Sequence, residues 1–435
     1  MKLKTTLTIV AISIGGVLIL IGASSWLLYR FLVAPLFALT EPPPELEQAR
    51  VVVGADFLSR TDFYKPDEKA SWFDFGDPDK LKSNLDSVED MAVGELDGQP
   101  GLDIGLAGRF GVTLLDTHGQ MKKRITYQFE KGNVKVGPFD MEREKSTFFD
   151  IRILDVESDG RCEILASGLD GVTVFDHRGR VLLSRGERLE GKQSIREIAA
   201  GDIDGDGVLE FVAGWGYDPS SIELFDRFGN NRWKLQEEFL PGPFEIVDVD
   251  GDGKREIVED DGRNLKIRDA QGTVINNPEM PVYLWHICLI QKPGGNSPPQ
   301  NLAVRDGSLW LIDLDGKNYS KSDAPLSSIK LEKPRKLPTS PGAPEVFDET
   351  EDVYRAKGVW IKLKKDQPEY LAVLGTFAAI NRALLYVYDY TGKLVYHEIL
   401  PEGCSDIAVL KSEGDSGPDA VLVGGETTVW RYTAR

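Results

Sequence analysis

Two short stretches of this chain have the residue types and the spacing to hold a hard divalent cation. Asp202, Asp204, Asp206 and Glu210 occupy the first, third, fifth and ninth positions of DIDGDGVLE, and Asp248, Asp250, Asp252 and Glu256 occupy the same positions of DVDGDGKRE. Calcium takes about six to eight oxygen ligands, from carboxylates and from backbone carbonyls. Alternating acids curl inward where glycines bend the chain, and the final Glu closes the shell. The seventh position offers only its carbonyl, so its side chain is free to vary, as Val208 and Lys254 do. Without a cation, carboxylates this close repel one another. A weaker version, with Asp155, Glu157, Asp159, Arg161 and Glu163, keeps all its acids but places the longer Glu157 third. Another, running from Glu95 through Asp97 to Asp103, has lost one acid and gained Pro100, and is expected to be weak or empty. The competing reading of such loops is a solvated turn whose carboxylates cap backbone amides. An EF-hand is rejected, because it needs a Glu at about position twelve and flanking helices.

The flanks alternate apolar and polar residues, as strands do. Each acidic loop joins two strands, and a Gly-rich turn, a third strand, a tight turn and a fourth strand follow. The tight turn reads D-x-x-G at residues 116–119, 176–179, 226–229, 269–272, 313–316 and 389–392. Asp at the first turn position bonds the backbone ahead of it, and Gly at the fourth tolerates a positive φ. A last unit, CSDIAVL, DAVLVGG and TTVWRY, stops before its fourth strand. Four-stranded units repeating at about 45 residues are propeller blades. The expected fold is therefore all-β, a propeller of about seven four-stranded antiparallel blades over residues 51–435. A strand within residues 50–75 should complete the last blade, with RVVVGADF (Arg50 to Phe57) and SWFDF (Ser71 to Phe75) as candidates. Residues 321–352, rich in Pro and Ser, read as an insertion, and residues 121–148 as a smaller one.

Composition narrows the function. The chain has 435 residues and a net charge of −19, which argues against nucleic acid as a partner. Three cysteines, Cys162, Cys288 and Cys404, form no CxxC pair and read as buried free thiols. His118, His177, His286 and His397 are scattered, and no nucleophile elbow, zincin motif or phosphate loop is present. No catalytic or organic-cofactor residues are assigned.

Residues 7–28 carry no charge and are long enough to cross a bilayer at about 20 residues per crossing. Lys2 and Lys4 precede them, and Trp26 and Tyr29 sit where interfacial aromatics belong. Residues 1–40 are expected to be one N-terminal transmembrane helix and its flank, and residues 41–50 a Pro- and Glu-rich linker. That places the propeller outside the cytoplasm, in a periplasm or at a cell surface. A cleaved signal peptide is the alternative.

GDIDGDGVLEFVAG and VDVDGDGKREIV resemble the loop and following strand of FG-GAP and VCBS-type repeat propellers, the architecture of integrin α-chain heads. The likeness spans roughly residues 85–433 and is specific in the second to fourth units. It implies structural calcium at the matching carboxylates and extracellular binding of proteins or glycans. The literal Phe-Gly and Gly-Ala-Pro signature is absent, which favours the VCBS-like side. The expected function is a non-catalytic scaffold for adhesion or assembly at the membrane. The alternative is a propeller enzyme: a polysaccharide lyase, a glycosidase or a quinoprotein-like protein, the last suggested by LYVYDYTGKLVY with Trp233 and Trp430.

Overall fold

In a computed structural model, residues 50–435 are described, apart from 67, 70–84, 87, 99–100, 109–110, 127–131, 137–138, 144–147, 169–170, 186–193, 217–219, 238–242, 261–263, 282–286, 292–297, 306–307, 324–354, 378–381 and 413–416. The proposed membrane segment, residues 7–28, and the candidate closing strand at Ser71 to Phe75 lie outside the described residues. Among the described residues no helix is long and apolar enough to cross a membrane.

The strands form seven antiparallel blades. Blades one to four take their inner strands from Asp90–Gly94, Phe148–Leu154, Ser194–Gly201 and Phe244–Val247. Blades five to seven take theirs from Leu289–Ile290, Arg355–Ile361 and Cys404–Leu410. The inner strand of blade seven packs against that of blade one, so the ring is closed. Seven apolar clusters fill the seven gaps between neighbouring blades. In one, Phe148, Ile151 and Phe175 of blade two meet Ala107, Val112 and Leu114 of blade one.

The tight turns form as their sequence dictates. In blade one, Asp116 Oδ1 accepts the amides of His118 at 2.9 Å and Gln120 at 2.8 Å. Gly119 then takes a φ of 81°, a conformation that costs glycine nothing. The same capping recurs at Asp176, Asp226, Asp269 and Asp389. Just past the turn, the fourth strand carries a β-bulge in blades one, two, three, four and six. The bulged residues, skipped by the pairing register, are Lys122, Leu182, Arg232, Ile275 and Val395.

Several boundaries differ from the sequence reading. The strand that completes blade seven is Leu58–Tyr64, paired with Val429–Ala434. Arg50–Val53 instead adds a fifth strand to the edge of blade six, against Leu394–Ile399. The apolar run at Val51–Val53 suggested closure, but Leu58, Phe63 and Tyr64 are the side chains that reach the core. Met121–Ile125, read as the start of an insertion, is the outermost strand of blade one. A separate hairpin, Gly132–Val136 with Phe139–Arg143, follows it. Tyr319–Asp323 is likewise the outermost strand of blade five, so residues 321–323 of the stretch read as an insertion belong to a blade, and residues 324–352 lie outside the described residues.

Candidate functional site

The acidic loops follow the inner strands, so they lie together at one end of the ring. Neighbouring loops touch: Ser158 Oγ donates to the carbonyl of Gly207 at 3.2 Å. Each good loop is bent by two glycines at positive φ, Gly205 and Gly207 at 79° and 84°, Gly251 and Gly253 at 81° and 87°. In the weaker loop of blade two, Ser158 takes the first of these positions at 57°, with no such freedom.

The bends turn the carboxylates onto the loop's own amides. Asp202 accepts from Gly205 at 2.8 Å and Gly207 at 2.9 Å, and Asp206 from Val208 at 2.8 Å. Asp248 does the same with Gly251 at 2.6 Å and Gly253 at 3.0 Å, and Asp252 with Lys254 at 2.8 Å. In blade two, Asp155 accepts from Asp159 at 3.0 Å and Gly160 at 2.8 Å, and Asp159 accepts from Arg161 at 2.9 Å. The closing Glu210, Glu256 and Glu163 are buried, and each receives the amide of the second loop residue, Ile203, Val249 or Val156. Burial raises all three carboxyls above the ordinary glutamate range, and the charges of neighbouring acids add to it, against the pull of those amides.

Convergence separates the loops. One oxygen from each of Asp202, Asp204 and Asp206 lies within 4.8 Å of the others, and so do oxygens of Asp248, Asp250 and Glu256. Oxygens on opposite sides of a calcium ion, each about 2.3–2.6 Å from it, are about 4.6–5.2 Å apart. Both groups therefore fit within one ion's shell. Among the described residues, the Asp155 to Glu163 loop brings together no such trio. The loop from Glu95 to Asp103 holds a lysine: Lys122 reaches Asp97 at 3.3 Å and Asp103 at 2.5 Å. A second cation, Arg232, reaches Asp204 at 2.6 Å and Glu210 at 2.8 Å. Among the described residues, no lysine or arginine pairs with Asp248, Asp250, Asp252 or Glu256.

The other end of the ring holds a charged cavity of about 240 Å³ at the starts of the inner strands. Its lining includes Asp90, Asp150, Arg152, Glu245, Cys288, Lys357 and Asp406, drawn from six blades. Much of this chemistry holds blades together. Asp406 of blade seven accepts the amide of Met91 in blade one at 3.1 Å, and Asp90 that of Ile151 in blade two at 3.0 Å. Asp150 accepts that of Ile198 in blade three at 3.0 Å. Between blades five and six, Cys288 Sγ accepts the amide of Gly358 at 3.1 Å. Lys357 of blade six bridges Asp90 at 2.9 Å and Asp406 at 2.7 Å. Arg152 pairs with Asp90 and Asp150. Burial pushes the Cys288 thiol up to about 12, so it stays protonated. Of this cluster the sequence reading named only Cys288, as a buried free thiol. The one available signal was the acid that opens several inner strands, in EDMAV, FDIRI and SDIAV.

Burial and the neighbouring Asp90 push the Asp406 carboxyl up to about 6, against the pull of Lys357. Burial would raise Asp90 too, but Lys357 and Arg152 outweigh it and hold that carboxyl well below the ordinary range. A carboxyl whose folded value exceeds its unfolded one costs stability while ionised. For Asp406 that cost is present above about pH 6 and falls away as pH drops towards the ordinary aspartate value near 4. The urea midpoint should therefore rise between pH 7.5 and pH 5, and Asp406→Asn should flatten the rise. An unchanged slope in that variant would contradict the assignment.

Trp233, named above only for its quinoprotein-like setting, donates its indole N–H to the carbonyl of Ala270 in blade four at 2.9 Å. Trp430 is buried in the core between blades six and seven. Cys162, Cys288 and Cys404 are free thiols.

No family model matches this sequence, and no curated protein does. Solved structures match it by fold. BBS1N in complex with ARL6DN, from a mercury-soaked crystal, gives a TM-score of 0.53 at 9% identity, covering 80% of this chain and 93% of that one. The WD40 domain of Neurospora crassa Pan2 gives 0.44 at 10% identity, covering 87% and 96%. BamB from Moraxella catarrhalis gives 0.41 at 10%, covering 80% and 83%. Of these three only the first exceeds a TM-score of 0.5, and at 9% identity that likeness is one of fold alone.

Proposed function

We propose that this seven-bladed propeller is a non-catalytic binding scaffold, stabilised by calcium at its acidic loops and held on the outer side of a membrane by its N-terminal segment. The observation that carries the non-catalytic reading is the use made of the cavity's charges. Asp90, Asp150, Lys357, Arg152 and Asp406 are committed to one another and to the backbone of the next blade. Groups fixed in this way hold a ring closed, and they are poorly placed to shuttle protons to a substrate.

The calcium reading is supported by the convergence of Asp202, Asp204 and Asp206 and of Asp248, Asp250 and Glu256. It agrees with the FG-GAP and VCBS-like pattern of those loops. When bound, the ion would neutralise acids that otherwise repel, and would tie together the two strands that flank each loop. The membrane reading rests on the uncharged span at residues 7–28 and the lysines before it. A protein or glycan partner fits a rigid ring that presents two loop-covered faces; the BBS1N structure is itself that of a complex with ARL6DN.

The test is topological. The full chain should stay with membranes through a high-salt wash, and protease added from the outer side, to cells or to spheroplasts, should digest the propeller. Full protection in spheroplasts, with digestion only after lysis, would overturn the extracytoplasmic reading.

A further inference from the structure

We propose that in blades one, three and four the bulged residue of the fourth strand decides whether that blade's acidic loop takes a metal ion. Lys122 and Arg232 are tethered counter-ions that fill the loops of blades one and three, whereas Ile275 leaves residues 248–256 of blade four open to a free divalent cation. The proposal rests on the calcium reading above and divides it between loops that the sequence treats as equals.

The five bulges are equivalent. Each follows its D-x-x-G turn, and each leaves one residue outside the register: Lys122, Leu182, Arg232, Ile275 and Val395. A bulge re-aims a side chain that a regular strand would commit to one face of the sheet. In blades one and three the side chain released in this way is a long cation, and in both it ends on the acids of its own blade's loop. Lys122 lies 3.3 Å from Asp97 and 2.5 Å from Asp103. Arg232 lies 2.6 Å from Asp204 and 2.8 Å from Glu210. Its planar fork spans the third and ninth loop positions, the pair of acids that an ion would also need. A free ion entering this loop has first to displace the charge-assisted hydrogen bond to Asp204 and the ion pair with Glu210, whose buried Oε1 accepts no hydrogen bond among the described residues.

Blade four has the same acids and no such cation. Ile275 stands at the equivalent position with 55% exposure, and Leu182 of blade two with 43%, both among the most exposed large apolar side chains of the described residues. Neither can neutralise a loop. In blade two the acids do not converge as a trio, but in blade four Asp248, Asp250 and Glu256 do. Blade four is thus the place where convergent acids meet no internal cation. Its loop should bind calcium at least about tenfold more tightly than that of blade three.

Exchanging the two residues in the full chain tests this, with bound calcium counted by equilibrium dialysis and melting followed in chelator and in calcium. Wild type should bind one ion tightly. Ile275→Arg should lose it, melt higher than wild type in chelator and no longer respond to calcium. Arg232→Leu should gain a second ion, melt lower in chelator and respond more strongly to calcium; Arg232→Gln serves where the leucine variant does not fold. Two tight ions in wild type, or counts unchanged by both exchanges, would overturn the proposal while leaving the calcium reading intact. If wild type and every variant bind none, the calcium reading falls and the proposal falls with it.

Discussion

Removal of residues 1–66 should abolish cooperative unfolding, whereas removal of residues 1–49 should leave it intact. The longer deletion takes away Leu58–Tyr64, which supplies the fourth strand of blade seven and fastens the ring. Leu58 is lost from the core between blades six and seven, and Phe63 and Tyr64 from the core between blades seven and one. Burying three such side chains stabilises by about 1.5–3 kcal/mol each. The total is comparable with the whole stability of an ordinary domain, about 5–15 kcal/mol. The deletion also strips the paired edge from Val429–Ala434, leaving an open strand prone to association. Denaturant titration followed by circular dichroism checks both chains. A sharp transition in the shorter chain, with an unchanged midpoint, would mean that Leu58–Tyr64 does not close the ring.

The second large effect is expected at Lys357. Its ammonium group bridges Asp90 and Asp406, whose side chains are only 5% and 8% exposed. Truncating one member of a buried ionic network leaves the other charges uncompensated, at a cost of about 3–5 kcal/mol. Lys357→Met should therefore lower unfolding stability by that amount at pH 7.5. The loss should shrink towards pH 5, where the acid pair takes up a proton. Adding Asp406→Asn to Lys357→Met should recover part of the loss. A loss below about 1 kcal/mol would place Lys357 among ordinary surface ion pairs.

The blades were legible because their signals are local. A turn that needs Asp at its start and Gly at its end writes itself into four residues, and the six such turns all take positive φ at Gly119, Gly179, Gly229, Gly272, Gly316 and Gly392. The convergent carboxylates were legible for the same reason, since nine residues contain each set. The closing strand was not. Leu58–Tyr64 reads LSRTDFY, with polar residues in its middle, and only Leu58, Phe63 and Tyr64 are buried. Its partner lies more than 360 residues away, as the bond from Thr61 to Arg431 shows. The cavity cluster was hidden in the same way: Asp90 and Lys357 are separated by 267 residues and meet because the ring closes. Arg232 escaped notice because its role depends on a one-residue bulge, which shifts no motif and leaves no pattern in a single sequence.

The central claim, a propeller stabilised by calcium, is tested most directly by melting the purified chain in 10 mM calcium and in chelator while counting the ions bound. With a dissociation constant on the order of 10⁻⁴–10⁻³ M, one occupied site should add about 1.4–2.7 kcal/mol at that concentration. The account predicts a melting temperature that rises with calcium and at least one ion per chain, lost together in Asp248→Ala. An unchanged melting temperature with no bound calcium would contradict it, and would leave these loops as turns whose acids only cap their own backbone.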